Sequence, residues 1–388
     1  MRLAINGFFH DQQATGSGQY TRKLVQGLAG RAEGPHCWLM RPQWVDHQPR
    51  LETSPGKVVE RFLNPPVPLG QDLAKVWFEQ VSFPRACLAE KVDIAHVPYF
   101  ASPFLAANRT VVTIHDLIPL ILPSYGRSIL VRLYTRLVAS AAKRAAAIIT
   151  DSFASERDIL QLLGVSPDVV HVIYLAVDSR YRQVTDGREL ALIRATYDLP
   201  EDYVLYLGGF DQRKNLSTLV TAYGALEGEL SARTPLVIAG RLPEGVSEFF
   251  PDPRAAVKRA GLEDRVLFIG WVPEADKPAL YSGAAIFVFP SLYEGFGLPV
   301  LEAMSCGAAV VASDRASLPE IAGDGAILVD PLDASALTTA MADLLRDPAK
   351  REQLTEKGLR RAKLFSWEET LSQTITVYES VAARSDPL

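Results

Sequence analysis

The run Ala284-Ala285-Ile286-Phe287-Val288-Phe289-Pro290, followed by Glu294-Gly295-Phe296-Gly297-Leu298-Pro299-Val300-Leu301-Glu302, decides the fold of this chain. Its first part is continuously apolar and of strand length, as expected for a strand covered on both faces. Pro299 suits the first position of a helix, where its missing N–H costs nothing. The stretch reads as buried strand, glycine-rich loop and helix N-terminus. Backbone N–H groups at such an end attract an anion.

Working outward, short apolar runs alternate with helical patterns along the whole chain, and the order βαβα implies mostly parallel sheets. Strands are expected at 2–6, 94–97, 110–114, 147–150 and 171–173 in the first half. In the second half they are expected at 203–207, 235–239, 266–269, 284–289, 308–312 and 326–329. The second set is evenly spaced, like one doubly wound domain of the Rossmann type. A chain of 388 residues suggests two domains. The boundary is expected within 178–198, giving domains 1–185 and 186–365 and a final segment 366–388.

Composition excludes several classes. No apolar run reaches the roughly 18 residues that span a bilayer. The N-terminal Met1-Arg2-Leu3-Ala4-Ile5-Asn6-Gly7 resembles a first strand rather than a signal peptide. Three widely spaced cysteines, Cys37, Cys87 and Cys306, suit a reduced, cytoplasmic setting and argue against a disulfide framework or a zinc site. The net charge of −5 divides unevenly. Residues 1–185 hold 20 Lys+Arg and 15 Asp+Glu, hence +5, which leaves 20 and 30, hence −10, for 186–388. One half is therefore expected to meet an anionic partner. No Asp-x-Asp occurs, and the six histidines show no metal-ligand spacing, so neither a metal nor a cofactor is expected. Nucleic acid is not an expected partner.

Candidate chemistry lies at the predicted strand ends, where open α/β sheets bind ligands. Glu294 falls in the loop and Glu302 in the first helical turns, so they are expected to touch different parts of one ligand. Carboxylates accept hydrogen bonds from sugar hydroxyls. A ligand with such hydroxyls at two places and a diphosphate between them is a nucleotide-sugar. As a loop residue, Glu294 carries no core, so its removal should spare folding. After the strand at 203–207 come Gly208-Gly209-Phe210-Asp211-Gln212-Arg213-Lys214-Asn215, where Arg213 and Lys214 precede a helix and could hold a diphosphate by charge-assisted hydrogen bonds. In the first half, Gly16-Ser17-Gly18 would let backbone approach a phosphate, although the dinucleotide fingerprint is absent. His115 and Asp116 follow another predicted strand, and Trp77 stands in a helical segment Trp77-Phe78-Glu79-Gln80.

The form Glu-Gly-Phe-Gly-Leu-Pro-x-x-Glu at 294–302 resembles the signature of family 4 retaining glycosyltransferases. The resemblance covers nearly the whole chain in order: glycine loop, His-Asp, Arg-Lys-Asn, then the Glu pair. It implies the GT-B fold, α/β, with two Rossmann-like doubly wound domains facing across a cleft. The first domain would take the acceptor, the second the donor, and the closing helix would cross back to the first domain. Glu294 would contact the donor sugar and Glu302 the ribose, within a donor loop that includes Gly295, Phe296, Gly297 and Leu298. Gly16 and Gly18 would lie beside the diphosphate and His115 near the donor sugar. The segment with Val272 would line the base, with Trp271 either packed or stacking. Asp116 and Trp77 fall loosely on the acceptor side. The family carries a basic residue where this chain has Gly208 or Gly209, which leaves Arg213 and Lys214 to neutralise the leaving group.

His-Asp-Leu-Ile-Pro and Arg-Lys-Asn resemble the subgroup that builds surface polysaccharide or lipopolysaccharide, often from GDP-mannose. UDP-glucose, UDP-N-acetylglucosamine and dTDP-rhamnose stay open as donors. A nucleotide-sugar 2-epimerase and a non-catalytic nucleotide-sugar-binding subunit stay open as functions. The expected acceptor is a glycan or lipid-linked oligosaccharide. From Leu117 to Thr150 the charged side chains are Arg127, Arg132, Arg136, Lys143 and Arg144, with no acidic residue, beside an apolar stripe that includes Leu133 and Leu137. Such a face could rest on an anionic membrane surface.

Overall fold

The computed structural model describes residues 1–12, 15–31, 34–44, 58–65, 70–105, 109–122 and 129–384, without the side chains of 129 and 130. The chain divides into two units, Met1–Tyr174 with Trp367–Leu388, and Leu175–Ser366. The division falls ahead of residue 185 because the intervening segment is tied to the second unit. There the Tyr181 hydroxyl donates to Glu274 (2.6 Å) and the Val184 N–H to Ser282 Oγ (3.0 Å).

In the first unit seven parallel strands form one sheet: β1 (Arg2–Asn6), β2 (His36–Pro42), β3 (Val58–Leu63), β4 (Ile94–Val97), β5 (Arg109–Thr113), β6 (Ala147–Thr150) and β7 (Val170–Val172). Their spatial order is β3-β2-β1-β4-β5-β6-β7. Five of these match the sequence expectation; β2 and β3 add an edge it did not contain. The physical reason is Arg41 on β2, a charged residue that reads as solvent-facing yet is fully buried. Its guanidinium reaches Asp11 Oδ1 (2.6 Å) in the loop after β1 and Glu60 Oε1 (3.1 Å) on β3. Burial of that charge is tolerable only because both partners arrive from elsewhere in the chain.

The helix Trp367–Ala383 belongs to this same unit. Its Tyr378 bonds the buried His96 Nδ1 on β4 (2.6 Å). Arg109, at the start of β5, donates to the carbonyls of Val381 and Ala382, both at 2.8 Å. These are end-of-helix carbonyls that have no partner within the helix itself. A far C-terminal segment is thus fastened to the first sheet.

All six strands expected in the second half form: β8 (Val204–Leu207), β9 (Leu236–Ala239), β10 (Val266–Gly270), β11 (Ile286–Phe289), β12 (Val310–Ser313) and β13 (Ala326–Val329). The order is β10-β9-β8-β11-β12-β13, again all parallel. Val204–Leu207 and Ile286–Phe289 are buried throughout, as continuous apolar runs between two helical layers should be. Cys37, Cys87 and Cys306 are buried thiols. Among the described residues, no helix is long and apolar enough to cross a membrane.

Candidate active site

In a doubly wound sheet, ligands bind beyond the carboxyl ends of the strands where the strand order reverses. In the second unit that point lies between β8 and β11. The segment leaving β8 carries Arg213 and Lys214 in a single helical turn, Gln212–Lys214. The segment leaving β11 carries Ser291 and Glu294. Topology therefore brings together residues eighty positions apart. Lys214 Nζ lies 2.6 Å from Glu294 Oε1, and Arg213 Nη1 lies 2.7 Å from Oε2. Ser291 Oγ donates to Oε1 at 2.6 Å. Arg213 Nε also faces Asp211 Oδ1 at 3.3 Å. Two cations and two carboxylates thus balance in formal charge.

Glu294 is only 9% exposed. Burial by itself would raise its pKa, but Lys214 and Arg213 together hold the carboxyl below the usual range. It is an ionised acceptor in a fixed place, not a mobile loop acid. Two part-buried cations depend on it, so it carries part of the local charge balance as well.

The loop around Glu294 is pinned from below. Buried Ser317 donates to the carbonyls of Glu294 (2.9 Å) and Phe296 (2.8 Å). Asn215 Nδ2 donates to the carbonyls of Pro290 (3.1 Å) and Pro331 (2.7 Å). Gly297 has φ +106°, which favours glycine, and a Cβ there would press on the end of the Leu318 side chain, 2.5 Å from Cδ2. Phe296 packs edge-on against Phe365. Leu298 opens the helix Leu298–Ser305, with Pro299 in its first turn as the sequence implied, and Gly295 is buried in the loop before it.

That helix carries Glu302, 7% exposed, whose Oε2 accepts from the Tyr281 hydroxyl at 2.9 Å. Burial raises its pKa despite Lys277 nearby. The two glutamates therefore differ in kind: one is held charged by cations, the other is pushed toward the neutral form. Val272 is buried, whereas Trp271 beside it is 53% exposed and is not a packed residue.

In the first unit, His115 follows β5. Its Nδ1 lies 2.7 Å from Oδ2 of Asp151, a buried residue that follows β6. Burial opposes protonation of His115, but Asp151 outweighs it and raises the pKa. With Nδ1–H directed to Asp151, Nε2 is buried and without a hydrogen-bond partner. Asp116, placed on the acceptor side by the resemblance, accepts from the Ile118 N–H (3.0 Å) and shapes the turn into Ile118–Ile121. Gly18 is required by packing: a Cβ would meet the Gln12 carbonyl at 2.1 Å. Its N–H donates to the Thr15 cap at 3.1 Å, while Gly16 is exposed at the start of the helix Gly16–Gly30. Trp77 is half-buried at the end of the helix Gln71–Trp77.

Sequence reading missed Asp151, Ser291, Tyr281 and Ser317. For Asp151 and Ser291 a signal existed, because each is a polar residue just past a buried apolar strand. Tyr281 and Ser317 carry no such mark; only folding places them.

Comparison with known proteins assigns the family. Residues 193–361 match the family described as Glycosyl transferases group 1, and residues 14–181 match Glycosyltransferase Family 4. The chain is 32% identical over 370 residues to an O-antigen chain mannosyltransferase B of Escherichia coli, covering 94% of this chain and 96% of the relative. It is 33% identical over 266 residues to the serotype-specific mannosyltransferase WbdA of Escherichia coli, covering 68% of this chain and 32% of that longer protein. Among solved structures, sucrose-phosphate synthase from Thermosynechococcus elongatus superposes with a TM-score of 0.75 at 24% identity, covering 99% of each chain. The chain belongs to the family 4 glycosyltransferases, has their GT-B fold, and resembles the mannosyltransferases among them.

Proposed function

We propose that this glycosyltransferase moves mannose from GDP-mannose to a glycan or lipid-linked oligosaccharide, with retention at the anomeric carbon and without a metal ion. The observation that carries this reading is the clamp of Lys214 and Arg213 on Glu294 at the switch point of the second sheet. The names of the relatives support mannose.

In the proposed reaction the bond from the sugar C1 to the diphosphate oxygen breaks and the acceptor oxygen bonds C1 on the same face. The acceptor proton passes to the departing phosphate oxygen, and GDP leaves. No residue of the clamp is placed as a covalent nucleophile in this scheme. Lys214 and Arg213 stabilise charge that grows on the diphosphate, and interactions stronger in the transition state are those that accelerate a step. Glu294 orients the sugar hydroxyls, and Glu302 accepts from the ribose. His115 serves the donor sugar, and Gly16, with Ser17, supplies helix-end backbone to the diphosphate. The metal-free reading is supported by the sequence, which lacks Asp-x-Asp.

The test is a donor screen with pure protein and GDP-mannose, UDP-glucose, UDP-N-acetylglucosamine and dTDP-rhamnose, with the product anomer read by NMR and an arm in EDTA. GDP-mannose should give the highest kcat/KM and an axial-linked product, unaffected by EDTA. Preference for another donor, inversion, or full loss in EDTA restored by Mg²⁺ would each overturn the corresponding part.

We place the acceptor at a membrane on a narrower ground. In the helix Ile129–Ala142, Val131 and Leu133 are 46% and 55% exposed, beside exposed Arg132 and Arg136. Arg144 contributes less than expected, because it donates to the Phe104 carbonyl at 2.7 Å and lies over the Phe104 ring. Arg127 lies outside the described residues. Sedimentation with anionic and neutral liposomes at low and high salt tests the idea; equal, negligible binding to both would remove it.

A further inference from the structure

A cluster of titratable side chains from several elements of the second unit surrounds Glu302. Lys277 and Tyr281 come from the helix Lys277–Ser282, Glu274 from the turn ahead of it, and Tyr181 from the segment that follows β7. The Tyr181 and Tyr281 rings lie beside one another, 6.4 Å between centroids. Burial keeps the proton on both phenols, and the Glu302 carboxylate adds to that. Cys306, which ends Glu302's own helix, also faces it as a thiol that burial holds protonated, with Arg182 near the sulfur.

Glu274 takes the stronger partners. Lys277 Nζ pairs with its Oε1, and the Tyr181 hydroxyl donates to its Oε2 at 2.6 Å. The Glu274 side chain is 32% exposed, so water also supports its charge. Arg180 adds a more distant attraction to Glu274 while pairing with Asp178 at 3.1 Å. Glu302 is buried and accepts the Tyr281 hydroxyl at 2.9 Å on Oε2. Tyr181 is within hydrogen-bonding reach of Glu302 as well, but a phenol has a single proton. With that proton given to Glu274, the Tyr181 oxygen can only accept from Glu302. Two buried acceptors in contact repel, and the contact becomes a hydrogen bond when Glu302 carries a proton. Ionising Glu302 would also bury a second negative charge beside Glu274, with one lysine for two carboxylates. Burial raises the Glu302 pKa, and Lys277 and the two hydroxyls offset this only in part.

We infer that Glu302 carries a proton in the donor-free protein and releases it to solvent when the donor's ribose binds, and that Glu274 and Tyr181 are positioning residues that set this release. The inference rests on the reading above, in which Glu302 accepts from the ribose, and it adds a proton to the binding reaction. The carboxyl O–H bond breaks, its proton passes to the buffer, and the ribose hydroxyls, still intact, donate to the carboxylate in its place. Hydrogen bonds to the charged form lower a carboxyl pKa. Donor affinity therefore rises with pH between the bound and the free pKa of Glu302 and levels off above the free one.

The experiment is calorimetric titration of the full chain with GDP-mannose, or whichever donor the screen selects, without acceptor. It runs from about pH 5 to 8 in two buffers of different ionisation enthalpy. Both phosphates of a nucleotide-sugar are esterified and do not titrate there, so the protons counted come from the protein. Release should peak at about half a proton or more, the amount for a pKa difference of about one, and affinity should climb to a plateau. Equal heats in the two buffers at every pH, or affinity that falls as pH rises, would overturn the inference. Glu274→Gln removes the neighbouring charge and frees Lys277, and Tyr181→Phe removes the acceptor of the Glu302 proton. Both should move the window down by about one pH unit, whereas Lys277→Met should move it up by as much. Shifts of all three in one direction would refute the roles given to these residues. Carbon-13 NMR of the donor-free protein, with the Glu302 carboxyl identified by its absence from Glu302→Gln, should show titration above the ordinary value of about 4.3. Titration at or below that value would also overturn the inference. Should no donor bind, the functional reading falls, whereas this titration still judges the proton separately.

Discussion

Replacing Glu294 should damage stability and turnover together, for reasons the structure makes quantitative. The Glu294 side chain is 11% exposed, and the Lys214 and Arg213 side chains beside it are 12% and 11% exposed. Removing one partner of a buried pair costs about 3–5 kcal/mol, mostly because the other charge is left uncompensated. Water still reaches this cluster, and Asp211 remains beside Arg213, so Glu294→Ala should fall near the lower end, about 3 kcal/mol. For a unit of this size, 1 kcal/mol moves the midpoint by about 2–4 °C, hence an expected fall of roughly 6–12 °C. Folding survives at 25 °C, because domains have about 5–15 kcal/mol in hand. Turnover should drop at least ~100-fold, the scale of one lost transition-state contact.

Calorimetry and transfer kinetics on Glu294→Ala, Glu294→Gln and Glu294→Gln/Lys214→Met separate the two effects. The double variant should recover part of the stability that Glu294→Gln loses, since the stranded ammonium is gone, yet recover no activity. A Glu294→Ala protein melting within about 1 °C of wild type would refute the coupling, because that shift corresponds to well under 1 kcal/mol. The pH dependence has a definite sign. The folded pKa of Glu294 lies below its unfolded value, so its contribution is full above the unfolded pKa and is lost as pH falls through the folded one. Acid titration of wild type should therefore show a loss, below about pH 4, that Glu294→Gln does not share.

Glu302 should behave in the opposite way. Its pKa is raised by burial, so ionisation at neutral pH opposes folding, and Glu302→Gln should gain about 1 kcal/mol at pH 7 while raising the donor KM; unchanged stability between pH 5 and 8 in both proteins would contradict this. Asp151→Asn should lower the His115 pKa, read directly by NMR titration. Because the folded pKa of His115 is raised, its contribution is complete below the unfolded value of about 6.5 and fades as pH rises through the folded one, so the variant should lose that pH dependence. Gly297→Ala should cost about 2 kcal/mol or more, from a forbidden backbone angle together with the contact on Leu318, and should lower turnover by displacing Glu294. Limited proteolysis of the loop would report that displacement.

Much of the second unit was legible in the chain itself. Short apolar runs alternating with helical patterns read as buried parallel strands, so all six of its strands were found from local pattern, and Glu294, Arg213 and Lys214 were found as the polar residues just past two of them. Pattern could not show that these three meet, because the pairing of β8 with β11 is a long-range fact. Once paired, the strands convert a loop acid into the partner of two cations and so give it a structural load. The first unit hid more. Arg41 and Glu79 are charged side chains in buried elements, and a sequence assigns charge to the surface unless it can see the partner. Asp11, Glu60 and Tyr134 are those partners, and they stand in other segments. His115 announced a site, but the residue that directs its imidazole, Asp151, comes from the next strand over. Local chemistry determined which residues could act. Only the packing of strands beside one another decided which of them act together, since a charge is stable indoors solely where the fold brings its counterpart.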